Sequence, residues 1–260
     1  MILKDKVALV TGVLNERSIA YAIAKQFKEQ GATVILSYQE GLQDRVEKIG
    51  ADLGISDLYA VDATKEDQIE SMFQSIDKKY KGIDTVVHAI AFAKKEELTG
   101  GITESTSEGF LLAQQISSYT LITLAKYAAP LMEKRGGGSI QALTYIGSTR
   151  PMPNYNAMGV AKASLESIVR YLAFELGSKN IRVNSISPGP INTLAARGIT
   201  GFKDMYKGAI DSQVLKRNLT PEDVAGTAVF LASDLSTMVS GMIMFVDGGF
   251  HCGTSFTNEN

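Results

Sequence analysis

The sequence predicts an α/β fold, a single doubly wound domain built on a seven-stranded parallel sheet. Short continuous apolar runs, such as Val7–Thr11, are typical of strands that are buried on both faces. Segments with helical spacing of apolar residues alternate with these runs, and the connections between them are short. Because the carboxyl ends of parallel strands meet at one edge of a sheet, we expect any ligand site to lie at that edge.

Length and composition are those of an ordinary globular protein. The 260 residues are 45% hydrophobic and carry a formal net charge of −2, which suits one large α/β domain or two small ones, without a nucleic-acid surface. The sequence has neither a secretory signal nor an apolar run of membrane-spanning length, so we expect a cytoplasmic protein. The single cysteine, Cys252, excludes an internal disulfide framework. The two histidines, His88 and His251, lack metal-site spacing, and no metal is expected.

The chain opens with a strand–loop–helix–strand unit. After Val7–Thr11, Gly12 is the only glycine before Ser18, which is expected to N-cap a helix that ends at Gly31. A second strand, Thr33–Tyr38, follows. This unit is the start of a Rossmann-type, dinucleotide-binding fold, although the usual G-x-G-x-x-G pattern is absent.

The loop after the first strand is a candidate cofactor site. Gly12 would let the backbone approach a diphosphate, and the N–H groups of Ser18 and Ile19 would point at it from the helix N-terminus. An ordinary strand–helix turn is the alternative. Gln39 ends the second strand, where it can hydrogen-bond a ribose, whereas the neighbouring Glu40 would repel the 2′-phosphate of NADPH. We therefore expect NADH, with NADPH as the less favoured cofactor.

Strands and helices continue to alternate along the rest of the chain. Asp62, after the third strand, could bond the adenine amino group or could cap the next helix together with Thr64. The small residues 89–91 suit a close approach to a bound ribose, residues 94–107 are expected to form a polar loop, and residues 117–119 could fix the long helix to neighbouring segments. Strands are predicted at 57–61, 83–88, 139–144, 181–186 and 242–246, and helices at 41–53, 65–80, 109–134, from 155 and from 220.

Tyr155 and Lys162 are seven residues apart at the start of a predicted helix. Seven residues are close to two turns, so both side chains lie on nearly the same face. A phenol near an ammonium group would be an acid whose pKa is lowered towards neutral. Taken alone, such a pair is more often a half-buried aromatic and a surface lysine. The pair is notable because it would join the other residues expected at the strand carboxyl edge, namely Gly12, Gln39, Asp62, Ile90, Tyr145 and Ile191.

Several segments resemble the short-chain dehydrogenase/reductase superfamily, namely Thr11-Gly12, Lys162, Pro188-Gly189 and Asp247-Gly248-Gly249. Two departures from most members point to one subfamily. The nucleotide loop reads Gly-x5-Ser-x-Ala, and the tyrosine precedes the lysine by seven residues, with Met158 in the usual tyrosine position. Both features are similar to the bacterial enoyl-[acyl-carrier-protein] reductases of fatty-acid elongation, and the segment Pro153–Leu165 is close to their signature.

The resemblance implies NADH-dependent reduction of the trans-2 double bond of an enoyl thioester in type II fatty acid biosynthesis. Tyr155 would hydrogen-bond the thioester carbonyl, and Lys162 would bind the nicotinamide ribose. Tyr145 would lie at the acyl chain as a proton donor or a steric wall, and Ala93 would contact the substrate. The implied NADH site comprises Gly12, Ser18, Ile19, Gln39, Asp62, Ala63, Ile90, Lys162, Ile191, Asn192, Thr193, Leu194 and Ala195.

The chemistry explains why the tyrosine would be displaced. In an enoyl thioester the hydride goes to the β carbon, so negative charge develops on an oxygen farther from the nicotinamide than in ketone reduction. Moving the phenol from four to seven residues before the lysine shifts it by roughly 4.5 Å along the helix, which follows that oxygen. A 3-oxoacyl or other carbonyl reductase and a catalytically silent NADH sensor remain as alternatives. Met158 argues against the first, and the joint presence of Tyr155 and Lys162 argues against the second.

The resemblance also implies partners and a mobile segment. Residues from about 192 to 212 would form a lid over the acyl chain within a single domain spanning residues 1–260, although a plain pair of surface helices is the alternative. The enoyl chain would be carried by an acyl carrier protein. Because carrier proteins are acidic, Arg197, Lys203 and Lys207 could form a docking patch or simply be solvated. The fourth and fifth predicted helices, which span residues 109–134 and begin at residue 155, resemble the helices that pack subunits into homotetramers in this family.

Overall fold

The computed structural model describes residues 1–197, 206, 208 and 211–253. The predicted parallel sheet is confirmed, with strand order β3-β2-β1-β4-β5-β6-β7 and parallel pairing throughout. The strand order reverses between β1 and β4, which is where doubly wound sheets open a ligand crevice. The strands are β1 Val7–Thr11, β2 Thr33–Tyr38, β3 Asp57–Ala60, β4 Thr85–His88, β5 Gly138–Leu143, β6 Ile181–Pro188 and β7 Ile243–Val246.

Helices cover both faces of the sheet. Alternate residues of β1 divide between the two cores: Ala8 and Val10 pack with α1 and α8, whereas Val7 and Leu9 pack with α3, α5 and α6. None of the helices among the described residues is both long and apolar enough to span a membrane. The helices are α1 Ile19–Glu29, α2 Gln43–Leu53, α3 Glu66–Tyr80, α4 Ser107–Gln114, α5 Thr120–Glu133, α6 Asn156–Leu176, α7 Leu194–Arg197 and α8 Pro221–Ala232.

The long helix predicted at 109–134 is interrupted. A π-helical turn, Gln115–Tyr119, separates α4 from α5. Within it the Ser117 hydroxyl accepts a hydrogen bond from the Phe92 N–H and donates one to the Phe92 carbonyl oxygen, both at 3.0 Å. The expectation that residues 117–119 bind a neighbouring segment is thus confirmed for Ser117. The effect is to fix the chain just after β4, where it borders the cavity described below.

Gly12 brings the ends of β1 and β4 together. Its φ is +73°, and a Cβ atom at this position would lie 2.2 Å from the Ala89 carbonyl oxygen, so a side chain cannot be accommodated. Thr11 strengthens the same junction, because its hydroxyl donates to the Val87 carbonyl oxygen at 2.9 Å and accepts from the Ala89 N–H at 3.1 Å. Gly12 is therefore required for close packing of two loops at the ligand edge of the sheet.

Candidate active site

Tyr145 and Tyr155 form the centre of the candidate site. Tyr145 follows β5, and Tyr155 occupies the N-cap position of α6. Their rings meet edge to face, with centroids 5.0 Å apart and an interplanar angle of 72°. Gly147 allows this arrangement, because a Cβ atom there would lie 2.6 Å from Cδ1 of Tyr155 and 3.1 Å from Cδ1 of Tyr145. Gly159 is constrained as well, since its Cβ would lie 2.8 Å from the Gly147 carbonyl oxygen.

Lys162 lies on the same helix as Tyr155 but is buried. Its side chain is only 5% exposed, and Nζ donates a hydrogen bond to the Leu143 carbonyl oxygen at 2.8 Å. Burial lowers the pKa of Lys162 to about 8, and the carboxylate of Glu166 opposes that fall. An ammonium group has three N–H donors, and Leu143 takes one of them among the residues described here. Two donors are therefore available to a ligand.

The predicted lowering of the Tyr155 pKa is wrong. Burial raises the pKa of Tyr155 above its ordinary value, and the neighbouring Tyr145 and Glu166 raise it further. Burial also raises the pKa of Tyr145 to about 12. The physical reason is that both phenols are surrounded by protein, while the Lys162 ammonium is directed at a β5 carbonyl. Both tyrosines therefore keep their protons at neutral pH, and each can act as a hydrogen-bond donor.

A cavity of about 580 Å³ opens beside the two tyrosines. Six predicted site residues line it: Ile19, Ala93, Tyr145, Tyr155, Ile191 and Thr193. Met158, in the usual tyrosine position, lies one turn from Tyr155 and lines the same cavity. Ala91 and Ala196 line it too, within the segments expected near the ribose (89–91) and in the lid (192–212). The lining residues that sequence analysis did not assign to the site are Phe92, Lys94, Lys95, Leu98, Thr144, Met158, Pro188, Gly189 and Pro190. Most of these lie in the segments that follow β4, β5 or β6. Their place after a strand could therefore have identified them from the sequence. The wall is predominantly apolar, as an acyl chain requires.

The loop after β1 differs from the prediction at Ser18. The Ser18 side chain caps α1 as expected and accepts a hydrogen bond from the Tyr21 N–H at 3.1 Å. Its own N–H donates to the Asn15 carbonyl oxygen at 3.0 Å, so the prediction that this N–H is free for a diphosphate is wrong. The cause is a local turn over residues 15–18, which the sequence pattern did not reveal. Ile19, by contrast, begins α1 and borders the cavity.

The adenosine end of the predicted cofactor site lies along the same sheet edge. Gln39 follows β2 and is exposed, and Ala63 and Ile90 are partly buried beyond β3 and β4. Asp62 Oδ1 accepts two hydrogen bonds from Thr64, at 2.9 Å from its N–H and 2.7 Å from its hydroxyl. The alternative role of these residues as a helix cap is wrong, because α3 has Lys65 at its N-cap and no side-chain cap.

The segment after β6 leads from the cavity to the cofactor side. Ile191 is buried, its carbonyl oxygen accepts from the Thr193 N–H at 2.7 Å, and Thr193 Oγ1 accepts from the Ala196 N–H at 3.2 Å. Asn192 lies between these residues. Leu194 and Ala195 begin the short helix α7. Most of the predicted lid at 192–212 falls outside the described residues, as do Lys203 and Lys207 of the predicted docking patch.

A second cavity, of about 490 Å³, lies beside the nucleotide loop and is rich in cations. Arg45 lies six residues beyond Gln39 in the sequence, and the structure places it in the wall of this cavity together with Arg17 and Lys48. Basic groups near an adenosine ribose are what the 2′-phosphate of NADPH requires. We therefore expect these cations, beside Gln39 and Glu40, to bear on cofactor selectivity. The residues lining the cavity are Asn15, Glu16, Arg17, Arg45, Lys48, Ile49 and Leu194.

Comparisons with known proteins identify the family to which the chain belongs. A family model described as Enoyl-(Acyl carrier protein) reductase matches residues 12–251. The Bacillus subtilis (strain 168) enoyl-[acyl-carrier-protein] reductase [NADH] FabI is 46% identical over 252 residues, covering 96% of this chain and 97% of the Bacillus protein. The Staphylococcus aureus (strain MRSA252) enoyl-[acyl-carrier-protein] reductase [NADPH] FabI is 45% identical over 252 residues, covering 96% and 98%.

Solved structures give the same result. The crystal structure of enoyl-[acyl-carrier-protein] reductase (NADH) from Aquifex aeolicus VF5 superposes with a TM-score of 0.95 at 41% identity, covering 98% of this chain and 100% of that one. The likeness therefore extends over nearly the whole chain. The chain belongs to the enoyl-[acyl-carrier-protein] reductase family.

Proposed function

We propose that this chain is an enoyl-[acyl-carrier-protein] reductase that uses NADH to reduce the trans-2 double bond of an enoyl thioester in type II fatty acid biosynthesis. The observation that carries the proposal is the position of Tyr155. It precedes the buried Lys162 by seven residues and faces an apolar cavity together with Tyr145. Met158 stands where a carbonyl reductase of this superfamily would place its tyrosine.

The residues present fit a bound dinucleotide. Lys162 has two N–H donors left for ribose hydroxyls, and Gly12 keeps the ends of β1 and β4 close together at the strand edge. Asp62 uses Oδ1 for Thr64, and its other oxygen is available to the adenine amino group. When bound, NADH supplies the hydride for the reduction. Gly12, Ile19, Asp62, Lys162 and residues 191–195 are the groups proposed to hold it.

The protein's part in the chemistry is to stabilise charge and exclude water. The neutral Tyr155 hydroxyl donates a hydrogen bond to the thioester oxygen, on which negative charge develops during the reduction. Lys162 fixes the ribose and places positive charge nearby. Apolar residues such as Met158 and Ile191 keep solvent away from the acyl chain, which strengthens both electrostatic effects.

An assay with two thioesters tests the proposal. We expect the purified protein to oxidise NADH in the presence of a trans-2-enoyl thioester and to be nearly inactive with the matching 3-oxoacyl thioester, because Tyr155 is placed for the more distant oxygen. Preference for the 3-oxoacyl substrate would identify a carbonyl reductase instead. Binding of NADH without its oxidation on any enoyl chain would favour the silent sensor.

Repeating the assay with NADPH measures the selectivity between the two cofactors, and a lower KM for NADPH would overturn the choice of NADH.

The carrier and the lid are part of the same proposal. We infer that the chain forms one reductase domain over residues 1–260, that the enoyl group arrives on an acyl carrier protein, and that residues 192–212 cover it. The support is that Ile191, Thr193 and Ala196 line the cavity, so this segment starts at its rim. A KM that is no lower for the carrier-bound thioester than for a coenzyme A thioester would contradict the carrier. Proteolysis within 198–210 that bound substrate does not slow would contradict the lid.

We further infer a cytoplasmic homotetramer. On α6, Tyr171 is 75% exposed and Phe174 is 89% exposed, and large apolar side chains of this kind are typical of subunit interfaces. Leu235 and Met238, which follow α8, are also exposed. We expect sedimentation of the wild-type protein at the mass of a tetramer, and a smaller species for Phe174→Asp. Wild-type protein that sediments as a monomer would contradict the inference.

A further inference from the structure

Glu166 is a buried carboxylate that neither the hydride chemistry nor the cofactor contacts employ. It lies one turn beyond Lys162 on α6 and is 4% exposed. Its Oε1 accepts a hydrogen bond from Thr144 Oγ1 at 2.6 Å and another from Ser148 Oγ at 2.7 Å. A carboxylate buried this deeply is unfavourable unless such donors hold it in place. Its position is therefore fixed by two side chains of one short segment.

That segment carries Tyr145. Thr144 and Ser148 lie on either side of the tyrosine, and both donate to the same oxygen of Glu166. Lys162 binds the start of the segment by donating to the Leu143 carbonyl oxygen. Two α6 side chains four residues apart thus attach residues 143–148 to the helix at three points. Because Tyr155 is at the N-terminus of the same helix, these contacts determine how the two tyrosines face each other.

We propose that Glu166 is a positioning residue for the reduction, which holds the Tyr145 segment on α6 and, through its negative charge, keeps Lys162 protonated for cofactor binding. The inference rests on the proposed function for the roles of the tyrosines and of Lys162. The geometry supports both roles. The Glu166 carboxylate accepts hydrogen bonds from the Tyr145 segment directly, and it lies one helical turn from the Lys162 ammonium group.

The charge effect has a definite sign. Burial lowers the pKa of Lys162 to about 8, and Glu166 raises that pKa. Loss of the carboxylate charge should therefore lower it further, and Lys162 would lose its proton at a lower pH. The other titratable groups in this region do not interfere: burial and Lys162 lower the pKa of His88 to about 3, and burial raises the pKa of Tyr145 to about 12 and raises that of Tyr155 as well.

Substituting Glu166→Gln separates charge from shape. The amide keeps the size and one oxygen acceptor for Thr144 and Ser148 but removes the charge. NADH affinity is measured by fluorescence titration across pH. In both proteins it should fall as pH rises, and in the variant we expect this fall at a pH about one unit or more lower than in the wild type. Glu175→Gln, an exposed position on the same helix, is the matched control and should leave the profile unchanged. A Glu166→Gln profile that coincides with the wild-type profile overturns the charge role.

Substituting Glu166→Asp tests the positioning role and covers the case in which the glutamine variant does not fold. Aspartate keeps the charge but is one methylene too short to reach both hydroxyls. We expect kcat with the enoyl thioester to fall about tenfold while the pH profile of NADH binding stays at its wild-type position. An unchanged kcat overturns the positioning role. Wild-type protein without enoyl reductase activity would reject the proposed function instead, and the NADH titration would still test the charge.

Discussion

Replacing Tyr155 by phenylalanine is expected to lower kcat by two to three powers of ten. Loss of one donor to a developing oxyanion typically costs ~3 kcal/mol of transition-state stabilisation. The phenyl ring would keep the edge-to-face contact with Tyr145 and its fit against Gly147, so the fold and the NADH site should persist. Steady-state kinetics with an enoyl thioester, combined with an NADH binding titration, would show a fall in kcat at nearly constant NADH affinity.

Tyr145→Phe is the matched control, because it removes a hydroxyl from the other ring of the same pair. If Tyr145 is a steric wall, kcat/KM should be unchanged. If Tyr145 also donates to the substrate, kcat/KM should fall, by less than for Tyr155→Phe. A Tyr155→Phe enzyme with wild-type kcat would show that its hydroxyl does not stabilise the oxyanion, and the proposed mechanism would then have to be abandoned.

Most of the fold could be predicted because its signals are local. The run Val7–Thr11 is apolar up to Val10, and the structure buries each of its residues between two helical layers. The same local pattern located Tyr155 and Lys162 on one helix, since their spacing depends only on helical geometry. Boundaries differed by one to three residues at most elements, as is normal where a helix or strand ends. The interruption at Gln115–Tyr119 was not predicted, and it coincides with the tertiary contact of Ser117 with Phe92, which the local pattern does not show.

The features of the site that were predicted wrongly or missed depend on how deeply a side chain is buried and on contacts between distant segments. The pKa of Tyr155 moved in the opposite direction to the one expected because its burial is set by the whole fold. The Ser18 N–H was assigned to a ligand because the turn to Asn15 has no distinctive sequence signal. Glu166 drew no attention in the sequence, since its hydroxyl partners are 22 and 18 residues away and meet it only when β5 packs on α6.

These failures share a physical origin. Spacing along a helix decides which side chains are neighbours, but it does not decide how much solvent surrounds them. At this site desolvation is the largest influence on the pKa values of Tyr155, Tyr145 and Lys162 alike. It keeps the phenols protonated and makes the ammonium group the one that titrates closest to neutral pH. The division of roles between a neutral donor and a charged anchor therefore follows from burial rather than from spacing.

Replacing Lys162 by methionine is expected to weaken NADH binding by about ten- to a hundredfold without destabilising the fold. Hydrogen bonds to charged groups contribute ~1.5–3 kcal/mol, which sets the loss of affinity. Methionine keeps most of the buried volume, and Lys162→Ala, which opens a cavity, is the comparison that separates lost charge from lost packing. Titration calorimetry with NADH measures the first effect, and thermal unfolding measures the second.

Burial of the Lys162 ammonium group makes the stability of the fold depend on pH. The pKa of Lys162 falls from 10.5 to about 8 on folding, so the buried ammonium opposes folding by ~3 kcal/mol at pH values below 8. This penalty decreases as pH rises from about 8 to 10.5, because the unfolded chain then holds the proton that the folded protein has lost.

The methionine variant lacks the penalty, so its free energy of unfolding should exceed that of the wild type near neutral pH and approach it in alkali. The hydrogen bond to Leu143 offsets part of this difference. A charge that opposes folding is retained where a ligand requires it, and a Lys162→Met protein that binds NADH as tightly as the wild type would refute that role.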